Sequence, residues 1–382
     1  MIRLLLFAFQ VTTAALAAYN FVTAMWGLPG PEQLPSGPRR RPIRAVIPAH
    51  NEQYVLGGLL DDMERQDYQA DLLRTVVLAD RCTDGTVDLA TGRAEVVERH
   101  HGPDGKGPLL SWYLSKDPLT ADEALLVLDA DNRVEETFVS GMADAFDAGY
   151  DAAQAYVDTS NPDESWLATA GALSYWASNR MVQLARHRLG WNPDLGGTGS
   201  GFGPEAVSVL LTAQESLTED QEQSARLAAA GLRVAWLHEN RVRDQKPSRL
   251  GVALQQRARW MSGRRQTWRQ NRRRLVGAAW KQRSWGPIDL LIRQTQPGRT
   301  FMVLVAVGLA IGALFTDLLW PWWVWLGVAA IQVVLPMAFL LRERVPARYL
   351  VRYPLLVIFG LLWVPVRLTS ARVRGWYHTP HS

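Results

Sequence analysis

An α/β domain built on a parallel, doubly wound sheet is the fold that this 382-residue sequence predicts. Three observations carry the prediction. Short apolar runs of strand length alternate with helical patterns from residue 43 to residue 131, the order that builds such a sheet. Glu52, Asp80, Asp129 and Asp131 all fall at the carboxyl ends of these runs, where open α/β sheets hold their ligands. The run 124–128 ends abruptly in Asp129-Ala130-Asp131-Asn132, two carboxylates one residue apart. If the chain stays extended through Ala130, strand alternation aims both carboxylates to one side, where hard oxygen ligands suit a divalent cation carrying a diphosphate. A turn starting there would separate them.

The elements follow in order. Residues 4–26 are apolar apart from Gln10, Thr12, Thr13, Asn20 and Thr23, long enough to cross a bilayer as a helix. The Ala14-Ala15-Leu16-Ala17-Ala18 stretch could imitate the processing site of a signal peptide. Only Arg3 precedes the segment, whereas Arg39, Arg40, Arg41 and Arg44 follow it, so the expectation is an uncleaved anchor with the downstream domain in the cytosol. Residues 28–42, rich in Pro and Gly, read as a linker. A strand at 43–48 runs into Ala49-His50-Asn51-Glu52, then a helix at 55–65. A strand at 75–79 delivers Asp80 and a capped turn, Arg81-Cys82-Thr83-Asp84-Gly85-Thr86. A strand at 94–98 leads to a Gly-rich loop with Lys106 and a helix at 109–115.

Beyond the Asp129 strand, the loop Gly196-Gly197-Thr198-Gly199-Ser200-Gly201 is poor in side chains, so a ligand could lie against its backbone amides. Thr218 is expected to cap a helix opened by Glu219 and Asp220, both placed where the helix dipole favours negative charge. Residues 255–274 read as a helix carrying Gln256, Arg257, Arg259, Trp260, Arg264, Arg265 and Trp268, suited to a membrane surface. Segments 301–319 and 322–341 are spanning candidates joined by a tight hairpin at Trp320-Pro321, and Arg342, Arg344, Arg348 and Arg352 return the chain to the cytosol. Residues 354–366 form a shorter apolar stretch, either a further span or an interfacial or re-entrant segment.

Composition narrows the class. Hydrophobic residues make up 48% of the chain, enough for a sizeable core, and many of the 16 Trp fall in the second half, as at a membrane interface. The single cysteine, Cys82, excludes an internal disulfide and a cysteine zinc site. The net charge is only +4, but residues 246–283 hold twelve Lys and Arg with no Asp or Glu. Beside apolar segments, such a block suits phosphate groups or anionic lipid better than nucleic acid.

Four motifs taken together resemble the membrane-bound glycosyltransferases of family 2, the group of the cellulose, hyaluronan, chitin-oligosaccharide and poly-N-acetylglucosamine synthases. They are Pro48-Ala49-His50-Asn51-Glu52, Asp129-Ala130-Asp131, Thr218-Glu219-Asp220 and Gln256-Arg257-Ala258-Arg259-Trp260, a Q-x-x-R-W sequence, in that order. The likeness extends from Ile43 to the tail at Trp376-Tyr377-His378-Thr379-Pro380. It implies a GT-A nucleotide-sugar domain at 43–245 on the cytosolic face of the plasma (inner) membrane. The flanking parts would be an anchor at 1–27, a linker at 28–42, basic interfacial helices at 246–298, membrane segments at 299–370 and a cytosolic tail at 371–382. The resemblance further implies that Ala49, Glu52, Asp80, Lys106 and Asp129 contact the nucleotide sugar, a UDP-sugar by expectation, and that Asp129 and Asp131 hold Mg²⁺ or Mn²⁺ with its diphosphate. Asp220 would be the general base, with Glu219 as fallback. Gly197, Thr198 and Gly199 would line the acceptor site, and Gln256, Arg259 and Trp260 would hold the diphosphate and the acceptor end. The few membrane segments make a narrow bundle, which favours a single transfer to a lipid-linked or saccharide acceptor. Processive polysaccharide synthesis and a non-catalytic, nucleotide-sugar-binding scaffold are the alternatives.

Overall fold

The computed structural model describes residues 1–210, 218–362 and 364–366. The tail expected at 371–382 lies outside the described residues. Eight strands form one sheet: β1 (Ile43–Ala49), β2 (Leu73–Asp80), β3 (Glu95–Arg99), β4 (Ala124–Val127), β5 (Arg133–Val134), β6 (Ala152–Thr159), β7 (Ser200–Phe202) and β8 (Val234–Asp244), in the spatial order β3-β2-β1-β4-β7-β6-β8-β5. Strand side chains alternate between two faces, and here both faces are covered. Ile43, Ala45 and Ile47 pack with Leu56, Leu59 and Leu60 on one side, while Val46 joins Leu109, Leu110 and Tyr113 on the other.

The expected parallel order holds for β3, β2, β1 and β4, and again for β6 beside β8. It fails in the middle, because β7 is antiparallel to both β4 and β6, and at the edge, where β5 runs antiparallel to β8. The sheet is therefore mixed. A three-residue strand following a Gly-rich loop is too short to show any periodicity. Gly201 is required there, since a Cβ would meet Leu126 Cδ2 at 2.9 Å and Phe146 at 3.1 Å.

Two helices, Ile2–Ala24 continuing to Gly27 and Trp322–Arg342, are long and apolar enough to cross a membrane by length and composition. The span expected at 301–319 is shorter than read. Its helix, Arg299–Gly312, has 14 residues, about 21 Å at the helical rise, and the chain turns at Ala313 where Gly312 comes up against Leu319. The Gln10 side chain bridges this connector, donating to the Leu318 carbonyl at 3.2 Å and accepting from the Trp320 amide at 2.6 Å. The basic helix exceeds its expected limits and runs from Leu250 to Gln282, packed on Glu219–Ala230 and Gly286–Thr295.

The sheet and the apolar helices meet at a turn of π-helix, Asn179–Leu184, which continues Trp166–Ser178. Such a turn carries one extra residue within the helix. Asn179 donates to the Val157 carbonyl in β6 at 2.8 Å. Arg180 donates to Glu343 at 2.5 Å and to the carbonyls of Gly27 and Pro29 at 3.2 and 3.1 Å. His238 of β8 lies 3.0 Å from the other Glu343 oxygen. One buried carboxylate thus joins the first helix, the sheet and the end of Trp322–Arg342.

Candidate active site

At the carboxyl end of β4 the chain does not stay extended. The Asn132 amide donates to the Asp129 carbonyl at 3.0 Å, closing a turn through Ala130. The Asp129 amide fixes the turn, donating to the side chains of Asn132 at 2.9 Å and Thr198 at 3.0 Å, and Thr198 Oγ1 in turn bonds Asn132 Oδ1. Asp129 and Asp131 still border the same cavity. Burial, followed by the like charges of Asp129 and Asp244, pushes the Asp131 carboxyl up to about 7. Glu52 lies in the same field. Its carboxyl is pushed up to about 8, first by burial and then by Asp131, Asp129 and Asp84. Glu52 and Asp131, whose ionisation is opposed first by burial and then by neighbouring carboxylates, have the electrostatics of a cation site. Among the described residues no set of three or more His, Cys, Asp or Glu is placed to hold a metal.

Lys106 is not in a loop but opens the helix Lys106–Lys116 behind Gly105. Its ammonium pairs with Asp129 and donates to the Gly197 carbonyl at 2.7 Å. Burial opposes that charge, but Asp129 and then Glu219 more than offset it, so the Lys106 pKa is raised. Gly197 (φ +80°) lies against Asp220, whose Cβ and Oδ2 are 3.8 and 3.9 Å from where a Gly197 Cβ would stand. Burial and the neighbouring Glu219 push the Asp220 carboxyl up to about 7. Lys106 and the Gly197 backbone therefore link the Asp129 end of the site to the Asp220 end.

One cavity of about 1220 Å³ is bordered by Ala49, Glu52, Asp80, Lys106, Asp129, Asp131, Gly197, Thr198, Glu219, Asp220, Gln256, Arg259 and Trp260. Gln256, Arg259 and Trp260 reach it because positions i, i+3 and i+4 share one helix face. Three expectations need correction. Gly199 does not border the cavity; it sits under β8, where a Cβ would meet Val242 Cγ1 at 2.5 Å. Thr218 occupies the N-cap position of Glu219–Ala230 but its side chain makes no capping bond, being pressed against Gly263 of the basic helix. Arg257 is buried with its guanidinium 3.7 Å from the centre of the Phe359 ring, so this residue of the basic helix packs into the protein.

Asp80 also differs from a simple nucleoside contact. Arg99 donates to its two oxygens at 2.8 and 2.9 Å, and Arg81 at 3.2 and 2.9 Å, which uses the four acceptor positions of a carboxylate. Burial opposes the Asp80 charge, and the two guanidinium groups outweigh it and lower the pKa.

Sequence reasoning missed Gln154. It is fully buried in β6; its Oε1 accepts from the Gly196 amide at 2.8 Å and from Ser200 Oγ at 2.7 Å, while its Nε2 donates to the Ala155, Thr198 and Gly199 carbonyls. One amide therefore sets the shape of the glycine loop. The only sequence signal is a lone amide inside Ala152-Ala153-Gln154-Ala155. Asp244 was missed as well: it borders the cavity at the end of β8 and pairs with Lys246 at 2.7 Å, whose ammonium stands 3.4 Å from the Tyr175 ring centre.

A mixed α/β sheet with acidic side chains gathered at the ends of β1, β2 and β4 is the GT-A-like arrangement of nucleotide-sugar transferases. Residues 38–263, more than half of the chain, match the family described as Glycosyltransferase like family 2. The chain belongs to glycosyltransferase family 2, and it is a glycosyltransferase. Among solved structures it is similar to the mannosyltransferase PcManGT from Pyrobaculum calidifontis in complex with GDP-Man and Mn²⁺, at 16% identity and a TM-score of 0.55, over 90% of this chain and 98% of that one. It is also similar to glucosyl-3-phosphoglycerate synthase from Mycobacterium tuberculosis in complex with Mn²⁺, UDP-glucose and phosphoglyceric acid, at 20% identity and a TM-score of 0.42, over 61% of this chain and 84% of that one. No curated protein matches the chain in sequence.

Proposed function

We propose that the chain transfers a sugar, with inversion, from a nucleotide sugar, a UDP-sugar in the first instance, to a lipid-linked or saccharide acceptor at the cytosolic face of the plasma (inner) membrane. The observation that carries this reading is the Lys106 bridge: one ammonium bonds Asp129 and the Gly197 carbonyl, and Gly197 lies against Asp220. In this reading the donor diphosphate and the acceptor hydroxyl lie at opposite ends of one short span.

In this mechanism the acceptor oxygen attacks C1 of the donor sugar, and the bond from C1 to the diphosphate oxygen breaks with its electron pair leaving on the diphosphate. Asp220 takes the acceptor proton, the one proton transfer that an inverting displacement needs. Lys106 and Arg259 stand on the cavity wall as cations for the departing diphosphate. Asp129 and Asp131 would hold Mg²⁺ or Mn²⁺, which supplies positive charge to the diphosphate; their mutual repulsion fits that role, and the PcManGT structure is a complex with Mn²⁺. Gln154 keeps the Gly196–Gly199 backbone in the shape that sets Gly197 beside Asp220. Glu52 and Ala49 border the nucleoside end, where Asp80 acts through Arg99 and Arg81 unless Arg81, also paired with exposed Asp104, swings aside. Membrane placement is supported by the two long apolar helices and by arginine on the expected cytosolic side of each.

Incubating purified membranes with a panel of radiolabelled nucleotide sugars, uridine and guanosine forms included, and separating lipid-soluble from polymeric product tests the reading. Label in a discrete lipid or short saccharide is the expected result. No metal-dependent turnover of any donor would overturn it, and long polymer would favour processive synthesis.

A further inference from the structure

The cavity is larger than a single donor needs, since small-ligand sites span roughly 300–1000 Å³. It continues from the transfer residues to a far wall formed by Arg299–Gly312, Trp322–Arg342 and Leu355–Leu361. That wall is mainly apolar, with Met302, Val333, Pro336, Leu356 and Val357. Three polar side chains interrupt it. Gln294 is buried and neither its Nε2 nor its Oε1 has a hydrogen-bond partner; Gln332 is buried and its Nε2 has none. Arg299 has an unpartnered Nη1, while its Nη2 lies 3.3 Å from Met181 Sδ. Among the described residues no carboxylate pairs with Arg299, whereas nearby Arg186 and Arg293 share the buried Asp289. Buried donors without acceptors are costly, and Nη1 of the half-buried Arg299, closed to solvent and carrying part of a positive charge, more so. An anionic oxygen ligand relieves both.

We propose that this end of the cavity binds the phosphoryl group of a phosphorylated lipid, and that this lipid is the acceptor. Arg299 and the amides of Gln294 and Gln332 hold the phosphoryl oxygens. The acyl or prenyl chain leaves along Val333, Pro336, Leu356 and Val357, and a hydroxylated head group extends toward Asp220. The phosphoryl group is a handle and keeps all its bonds: the head-group hydroxyl forms the new bond to the sugar C1, its proton passes to Asp220, and the nucleoside diphosphate leaves with the electron pair of the broken bond. This deepens the transferase reading and rests on it for the chemistry, but the binding site stands on its own geometry.

The test is native mass spectrometry of the full chain in detergent with three probes: dioleoylphosphatidylglycerol, neutral dioleoylglycerol and free glycerol phosphate. The phosphorylated lipid is expected to bind best. Its affinity should fall roughly tenfold to a hundredfold in Arg299→Gln, the worth of a charge-assisted hydrogen bond in a desolvated site, and less in Arg299→Lys. Gln332→Leu should weaken it without changing charge, and circular dichroism identifies any variant that is unfolded. Equal binding of dioleoylglycerol would overturn the phosphoryl handle. Glycerol phosphate binding as tightly as the lipid would reduce the site to a free-phosphate site and overturn the lipid, as would unchanged lipid binding in folded Arg299→Gln. Donor hydrolysis by the unaltered protein is scored separately: its absence counts against the transferase reading, while lipid binding lost in Arg299→Gln would still stand.

Discussion

If Asp220 is the base, transfer must follow the ionisation of a carboxyl that the fold holds far from its usual range. The ordinary value of 3.8 is raised to about 7 by burial and by Glu219, with Asp194 adding to the rise and Lys106 opposing it. Only the carboxylate accepts a proton, so kcat/KM should rise with pH and level off above about 7. Between pH 6 and pH 8 the ionised fraction changes about tenfold, and the rate with it. Asp220→Asn should lose roughly a hundredfold or more and abolish this limb, with donor binding nearly intact. The stability effect has the opposite sign: a carboxyl with a raised folded-state value contributes stability that is fully present below about 3.8 and lost as pH rises through about 7. The asparagine variant should therefore melt higher than the unaltered protein at pH 8, with the two converging in acid. Initial rates across that range with a saturating acceptor, beside thermal melts of both proteins, make the test. A flat pH profile, or an Asp220→Asn enzyme with normal turnover, would remove Asp220 from the mechanism.

Replacing Gln154 by Leu leaves the Gly196 amide and the Ser200 hydroxyl without their acceptor; a loss of about 2–4 kcal/mol in unfolding experiments is expected, together with a raised KM for acceptor, and unchanged acceptor kinetics would refute its hold on the loop. Asp131→Ala should abolish metal binding that depends on uridine diphosphate in calorimetry, whereas equal metal affinity with and without nucleotide, or full activity in excess chelator, would return the two aspartates to an ordinary surface turn. Topology reporters inserted near Gly102 and near Val345 should both read cytosolic, and a periplasmic signal at either would reverse the proposed orientation.

The order of elements from β1 to β4 was legible because each strand is an apolar run closed by a polar residue, and periodicity registers such contrasts. The carboxylates at 52, 80, 129 and 131 were legible for the same reason, since they mark where the runs stop. What escaped was decided by neighbours distant in sequence. The turn at Ala130 follows from Thr198, nearly seventy positions away, gripping the Asp129 amide together with Asn132. Arg99 and Arg81 saturate Asp80 from another strand and from its own turn. Gly199 read as part of a ligand loop, yet its missing side chain makes room for Val242. The antiparallel β7 has three residues, fewer than an alternation needs to be seen.

The carboxylate of Glu343, shared by Arg180 and His238, has a consequence for what can be glycosylated. Because it fastens the first helix, the sheet and the end of Trp322–Arg342 together, the site cannot rise or sink relative to the apolar helices without breaking a buried ion pair. Reach is then a fixed quantity, like the height of a tool on a bench. Within the proposed reaction, an acceptor whose hydroxyl lies too shallow or too deep fails however well its sugar or lipid fits, and a head group lengthened by one transferred sugar no longer presents its end at the same level.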